Sequence, residues 1–584
     1  MNLEELKTAG EAPDWMTEDS FKTLSGGYLL EGETPKAMYR RVAYGVGHRI
    51  AEMSQEGKGY DISISEEFFS LMWKNWLCPA SPILSNVGTT RGLPISCFSV
   101  AIPDSVDGIM KSMHEVAMLS KNGGGVGTHW NAVRPRGSKI SQNGTSSGTL
   151  SFLKILDSTA VGVSQGGVRR GAAAAYLDIE HGDFDEFLQM RKPVGDPNSQ
   201  CLNLHHGVCI SDSFMKKVKD GDEEARRRWQ KVLKTRLEVG EPYMFFTDNV
   251  NNANPQCYKD LGLLVQASNI CTEIMLFTDF LHSFVCCLSS LNLARYDEWK
   301  DTNLVQTSIL FLDGVIEEFI QKAKDIPGFE NSARFAIKSR AIGLGVLGFH
   351  TLLQQKGLAF DSMEAHILNS KIFKGIHEKG EQATKTLADL FGEPEWCKGH
   401  GRRHTHLFAI APTASNSIIS GGMSSGIEPI TANLISKGTA KGTFQIKNKL
   451  LEELLETLGE NTSKTWKSIN LQDGSVQHLN FLTEEQKKIF LTAREIDQMA
   501  LVRLAAARQK FIDQGQSLNL FFFPDVDQKK LHKIHVEAHK LGIKSLYYTH
   551  SNSPLKDSGT KEYKRESIES KAPKPPEDCA LCEG

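Results

Sequence analysis

Between about residue 78 and residue 550, short β-prone runs alternate with amphipathic helical stretches, as at residues 95–102, 172–179, 206–210 and 407–410. This alternation confines the chain to the α/β class, because strands read in this order need helices to cover their apolar faces. The pattern does not separate an open sheet from a barrel. Upstream, Val42, Val46, Ile50 and Met53 recur at helical spacing after Pro35, and the helix stops at Gly57-Lys58-Gly59. A second apolar helix covers residues 66–76. Residues 1–77 therefore read as a small helical N-terminal unit whose first 26 residues are polar and loosely held. Thr483 with Gln486 forms a capping box that predicts a long helix to about residue 514. After Ser551 the composition turns to Lys, Glu, Ser and Pro, so residues 551–584 are expected to be a flexible tail. There is no internal repeat.

With 584 residues the chain exceeds one typical core, and roughly two to four structural units are expected. A net charge of −3 gives no electrostatic case for binding nucleic acid or an anionic membrane. The longest apolar run, residues 341–349, contains three glycines and is far too short to span a bilayer. The acidic start, Met1-Asn2-Leu3-Glu4-Glu5, is no secretory signal, so a cytoplasmic location is expected. Eleven cysteines in a chain of this length are too sparse for a disulfide scaffold. In a reducing compartment the informative ones are catalytic or exchanging thiols.

Ser268-Asn269-Ile270-Cys271-Thr272-Glu273-Ile274 carries the sharpest chemistry. The thiol stands two residues from a carboxamide and two from a carboxylate, so in an extended segment all three side chains share a face. A hydrolytic cysteine needs a His partner, and the nearest downstream is His282. A metal centre needs more sulfur or nitrogen ligands. The set suits radical chemistry on a diol, although such a cysteine taken alone is also an ordinary small core residue.

Further segments place this one in context. They are Ala80-Ser81-Pro82, Ser96-Cys97-Phe98, Gly123-Gly124-Gly125-Val126-Gly127 and Gln165-Gly166-Gly167-Val168-Arg169-Arg170-Gly171. Cys286 ahead of Leu291-Asn292-Leu293, Pro412-Thr413-Ala414-Ser415, Gln516-Ser517-Leu518-Asn519 and Leu546-Tyr547-Tyr548 follow in order. With them the chain resembles the large, catalytic subunit of ribonucleotide reductase from about Gly27 to its C-terminus. The resemblance implies a ten-stranded α/β barrel over residues 78–550, with the Cys271 segment as a finger loop through its centre.

It also implies roles. Cys271 would be the thiyl site, Glu273 the base for a ribose hydroxyl, and Asn269 its hydrogen-bonding partner. Cys97 and Cys286 match the reducing pair, whereas Cys287 lacks the spacing to Asn292 and would point the other way as core packing. Cys78, Cys201, Cys209, Cys257 and Cys397 match nothing and read as structural. Cys579 and Cys582 would shuttle electrons from thioredoxin or glutaredoxin. Ser81, Ser96, Thr413, Ala414 and Ser415 match the substrate diphosphate site. Asp104, Ser105, Ile109 and Arg134 match the specificity site for a deoxynucleoside triphosphate or ATP effector, and Gln165 and Arg170 lie in the loop that relays effector identity. Tyr547 and Tyr548 match the stacked pair that carries a radical from another subunit.

The 123–127 glycine run is neither a P-loop nor a dinucleotide fingerprint, and tight backbone packing is the better reading. His532, His535 and His539 share a helix face, read as solvated rather than as a metal site. None of the 18 histidines has a Glu three residues before it, so a ferritin-like dimetal site is excluded and no metal is expected in this chain. The radical then comes from a metal-containing small subunit or from adenosylcobalamin, and the tyrosine pair favours the subunit. The large chains are expected to form a homodimer. Many relatives carry an N-terminal ATP-cone; with some 26 residues ahead of the shared region, below the ~40-residue floor for a stable domain, a cone is not expected. The reaction implied is reduction of ribonucleoside diphosphates to 2′-deoxyribonucleoside diphosphates. Alternatives are the cobalamin-dependent reductase or a silent nucleotide-binding barrel.

Overall fold

The computed structural model describes residues 2–54, 59–140, 144–163, 172–439 and 442–551. Gln165, Arg170, Cys579 and Cys582 lie outside the described residues.

Four helices form the N-terminal layer: α1 (Leu3–Thr8), α2 (Glu18–Ser25), α3 (Pro35–Met53) and α4 (Ile64–Trp73). Thr34 caps α3 by accepting from the Ala37 amide at 3.2 Å, and Pro35 fits the first turn, where no amide partner is needed. Val42, Val46 and Ile50 are fully buried along one stripe of α3. The first 26 residues are not loosely held, contrary to expectation. Leu3, Leu6, Met16 and Leu24 enter the core, and the Trp15 indole donates to the Trp73 carbonyl at 2.8 Å. Their apolar residues are too few and too widely spaced to show a helical period, so only the tertiary contact reveals them.

The central sheet begins with β1 (Leu77–Pro79). Then β2 (Cys97–Ala101), β3 (Gly125–His129), β4 (Ala172–Asp178), β5 (Leu204–Ile210) and β6 (Tyr243–Phe246) pair in parallel, in sequence order. The long strand β7 (Phe284–Asn292) runs antiparallel to β2 and β1, and β8 (Ile342–Leu347) is parallel to β7. Beyond β8 the ring continues through parallel bridges from Leu344 to Phe408 and from Ile410 to Gln516. A hairpin of β9 (Leu434–Thr439) and β10 (Gly442–Lys447) stands apart. Last come β11 (Leu520–Phe521), β12 (Ser545–Leu546) and β13 (Thr549–His550), with β11 parallel to β13 and β12 antiparallel to β6. The Tyr547 amide donates to the Leu518 carbonyl at 2.9 Å. Among the described residues, β1 and the parallel set β2–β6 thus meet a set of opposite direction that starts at β7 and returns to β6 through β12. Strands such as β4, an almost unbroken buried run of Ala173 to Leu177, follow from having both faces covered.

Glycines make room for the loop inside this ring. A Cβ at Gly127 would stand 2.0 Å from the Ser268 carbonyl oxygen, and one at Gly125 2.8 Å from Ile270 Cγ2. The 123–127 run is therefore a site of close backbone approach.

Two local expectations need correction. Thr483 and Gln486 do form the capping box, but the helix is Glu484–Ile489, and a second helix, Gln498–Gln509, starts at its own cap, Asp497. Between them Phe490, Ala493 and Ile496 are buried, and Glu495 accepts from the Thr492 amide at 2.8 Å. Burial of that turn outweighs helix propensity. The histidine face on Gln528–Lys540 is solvated only in part: His532 is exposed, but the rest of the face is packed. His535 is fully buried with its pKa pushed down to about 3 by burial, His532 accepts from the Trp229 indole, and His539 pairs with Asp212.

Replacing Gly127 by Ala should lower the denaturation midpoint by the equivalent of about 1–3 kcal/mol or more, as overpacking does. Gly375, inside the helix Met363–Phe391 with open space around it, is the control. Gly375→Ala should be neutral or stabilising by up to ~1 kcal/mol. Equal midpoints in urea denaturation would contradict a loop threaded against β3.

Candidate active site

The segment from Ser268 to Ile274 crosses the barrel as a tight turn, not an extended strand. Thr272 adopts a left-handed φ of 67°, and its amide donates to the Asn269 carbonyl at 3.4 Å. Asn269 and Glu273 therefore meet across a turn rather than by strand alternation. The Asn269 amide donates to Glu273 Oε2 at 3.0 Å, while its Oδ1 accepts from the Ile274 amide at 3.1 Å.

The barrel wall satisfies the rest of the turn. Tyr176 donates its phenol to the Asn269 carbonyl at 2.6 Å, and Ser545 donates to the Thr272 carbonyl at 2.9 Å. The Gly515 amide reaches the Glu273 carbonyl at 2.8 Å, and Gln514 Oε1 accepts from Met275. Ser517 Oγ donates to the Cys271 carbonyl and lies 3.3 Å from Glu273 Oε2. Of these supports only Ser517 lies in a segment distinctive in the sequence, residues 516–519, and nothing in that segment points to this role. Tyr176, Gln514 and Ser545 carried no local signal.

A cavity of about 970 Å³ opens over the turn and is lined by Ser81, Ser96, Cys97, Cys271, Glu273, Cys286, Thr413, Ala414, Ser415 and Tyr547. Asn269 is fully buried behind Glu273. Cys97 and Cys286 face each other as direct partners across the antiparallel β2–β7 pair. Such partners have Cα atoms about 4.5–5.5 Å apart, inside the range a disulfide requires. Both are thiols here, and burial, with Cys287 and Cys97 nearby, holds the Cys286 pKa well above the usual thiol range. Cys287 pairs with Ile342 on β8, and its Sγ lies 3.5 Å from the Leu312 carbonyl. Cys78, Cys201, Cys209, Cys257 and Cys397 are buried thiols outside this lining.

Thr413 sits at the N-cap of the short helix Ala414–Ile419 with φ 54°, its Oγ1 accepting from the Gly426 amide at 2.7 Å. The first turn of that helix has no side-chain cap from Thr413, and the exposed Ala414 and Ser415 line the cavity. Ser81 lies 3.0 Å from the Tyr28 phenol and 3.4 Å from Asn416 Oδ1.

Tyr547 is buried beside Cys271, and its phenol pKa is raised well above the usual range by burial and then by Cys271. The Tyr547 and Tyr548 rings are 4.3 Å apart between centroids. Asp104, Ser105, Ile109 and Arg134 form a separate cluster beyond the far end of β2 from Cys97. Ser105 caps the helix Val106–Lys121, and Arg134 Nε donates to Asp104 at 2.7 Å. Ile109 is buried, so its side chain is not presented to solvent. A larger groove of about 1600 Å³, lined by Met215, Trp229, Leu233 and Leu531 among others, holds none of these residues. Among the described residues no group of three or more His, Cys, Asp or Glu side chains is placed to hold a metal. No helix among them is long and apolar enough to cross a membrane.

The profile described as "Ribonucleotide reductase, barrel domain" matches residues 95–225, 222–396 and 394–549, and the one described as "Ribonucleotide reductase, all-alpha domain" matches residues 15–92. The chain belongs to the ribonucleotide reductase large-subunit family. It is 39% identical over 555 residues to the putative ribonucleoside-diphosphate reductase large subunit of Frog virus 3, covering 92% of this chain and 96% of that one. It is 36% identical to the large subunit of Invertebrate iridescent virus 3, covering 92% and 95%. Among solved structures it is similar to the Actinobacillus ureae class Id ribonucleotide reductase alpha subunit, with a TM-score of 0.84 and 43% identity over 93% of this chain and 99% of that one.

In this ribonucleotide reductase fold the cross-strand register makes a definite expectation. Mild oxidation should join Cys97 to Cys286 and leave Cys287 open to alkylation after denaturation, as read by peptide mapping. A Cys97–Cys287 bridge would show that the register is wrong.

Proposed function

We propose that this chain is a class I large subunit that reduces ribonucleoside diphosphates to 2′-deoxyribonucleoside diphosphates, and that the residues around the finger loop carry the reaction. One observation supports this above the others: Cys271, Glu273, Cys97 and Cys286 line a single cavity, and Tyr547 lies against Cys271. Ten carried-over residues from six separate sequence segments meet there.

The chemistry follows from the positions. A thiyl at Cys271 abstracts a hydrogen atom from the ribose, since S–H and activated C–H bonds are close in strength. Glu273, oriented by Asn269, takes the proton of a ribose hydroxyl. The 2′-hydroxyl leaves as water while Cys97 and Cys286 supply two electrons and two hydrogens, and these thiols end as a disulfide. A high Cys286 pKa keeps that sulfur protonated, the form that can deliver hydrogen. Ser81, Ser96, Thr413, Ala414 and Ser415 hold the diphosphate through hydroxyls and the free amides of the helix start.

The radical reaches Cys271 through Tyr548 and Tyr547 from a metal-containing small subunit. Cys579 and Cys582 reduce the spent pair and are recharged by thioredoxin or glutaredoxin in the cytoplasm. Asp104, Ser105, Ile109 and Arg134 bind a nucleoside triphosphate effector, with Gln165 and Arg170 relaying its identity. Exposed Val106 and Met110 on one helix, and Ile155 and Val161 on the adjoining helix Thr149–Gly162, support a homodimer through this face.

Cys271→Ser should abolish turnover while nucleotide binding is retained, because a hydroxyl does not form the equivalent radical at accessible energy. Multiple turnover in that variant would remove the radical assignment. Tyr547→Phe should cut turnover by orders of magnitude in the presence of a radical-generating small subunit. CDP reduction by the chain with adenosylcobalamin alone would place it in the cobalamin class. Arg134→Ala should change which base is reduced under a given effector, with kcat for effector-free CDP reduction within about twofold of the parent. An unchanged effector response would place the effector elsewhere.

A further inference from the structure

Tyr547 and Tyr548 do not form a simple line. Tyr243, on β6, completes a triangle with them. Its ring centroid lies 4.9 Å from that of Tyr547 and 5.1 Å from that of Tyr548, against 4.3 Å between those two. Tyr243 is fully buried, and its hydroxyl makes no well-formed hydrogen bond; what it meets is the Tyr548 hydroxyl. A phenylalanine would fill the same space and spare the fold a desolvated, poorly satisfied hydroxyl. The hydroxyl is therefore not there for packing.

Its neighbours are ordered on the far side. Tyr548 Oη lies 3.3 Å from His205 Nδ1, which is 2.7 Å from Glu241 Oε1, and the His205 ring stacks on Tyr243 at 6.0 Å. Burial and then the Glu241 charge raise the pKa of both Tyr243 and Tyr548. Phenolates are thereby excluded at neutral pH. An electron leaving one of these phenols must take its proton along, and that requires hydroxyls within reach of each other.

We propose that Tyr243 is a third redox-active phenol that exchanges a hydrogen atom with the phenoxyl of Tyr548 or Tyr547. The inference rests on the radical-carrier reading of that pair given above. In the step, the Tyr243 O–H bond breaks and the O–H bond of the acceptor tyrosine forms. Tyr243 is oxidised by one electron, the acceptor phenoxyl is reduced, and no other reactant enters. The bond broken and the bond made are of one kind, so the exchange is close to thermoneutral and reversible. The radical then has two routes between Tyr548 and Tyr547.

The test uses the full chain with a radical-generating small subunit, CDP, effector and reductant. Tyr243→Phe should lower kcat about 10-fold, leave KM for CDP unchanged, and leave the thermal midpoint unchanged or raised. With 3-aminotyrosine at position 243, an aminotyrosyl radical should appear in the EPR spectrum only when substrate and effector are both present. A Tyr243→Phe enzyme within twofold of the parent, or no radical at position 243, overturns the proposal. Tyr547→Phe separates the two levels. If it is inactive while Tyr243→Phe is normal, only the third phenol is wrong; if it turns over, the radical-carrier reading beneath it is wrong as well.

Discussion

A loop can lie inside a barrel only if its backbone amides and carbonyls find partners there, since water is excluded and each unsatisfied group is costly. Here the partners come mostly from the wall. Tyr176, Ser517, Ser545, Gln514 and the Gly515 amide each take one polar group of the Asn269–Met275 stretch, and Asn269 turns its own side chain back onto Ile274. This network holds Thr272 in a left-handed conformation that an unsupported β-branched residue would leave. The positions of Cys271 and Glu273 follow from it, because both are fixed through their carbonyls.

The second requirement is that a thiol pair face the same cavity and be able to close. The β2–β7 junction is where the two halves of the barrel meet in opposite directions, and that antiparallel contact brings Cys97 opposite Cys286. A parallel neighbour would have staggered the two sulfurs. The seam of the barrel and the facing thiol pair are therefore one feature.

Much of this was legible in the sequence, for reasons that can be named. The α/β class followed from alternation, and the close-packing role of the 123–127 glycines followed from the lack of any phosphate-binding signature there. The separation of Cys286 from Cys287 followed from strand alternation together with spacing to Asn292. The illegible parts depend on distant contacts. Leu3, Leu6, Met16 and Leu24 look like a polar tail with stray apolar residues until their receiving surface is known. The helix after Thr483 breaks because three apolar residues of the following turn find the core. His535 is buried on a face that composition alone reads as wet. The Asn269–Glu273 contact was anticipated as a shared face, but its cause is a turn with a left-handed residue, which the side-chain types of the segment do not reveal.

The helical layer supports the cavity over the finger loop through two contacts. Ser20 Oγ donates to the Ile418 carbonyl at 2.8 Å, on the helix that opens at Thr413, and the Tyr28 phenol contacts Ser81. The layer is thus a wall of the cavity as well as a cap on the barrel. A ligand held by Ser81 and the 413–415 segment stabilises every conformation in which that wall is closed. Amide hydrogens of α1 and α2, which are short and pack at the margin of the core, should then exchange with solvent more slowly when a ligand fills the cavity, although neither helix lines it. Occupancy of the cavity would be readable from the far side of its wall.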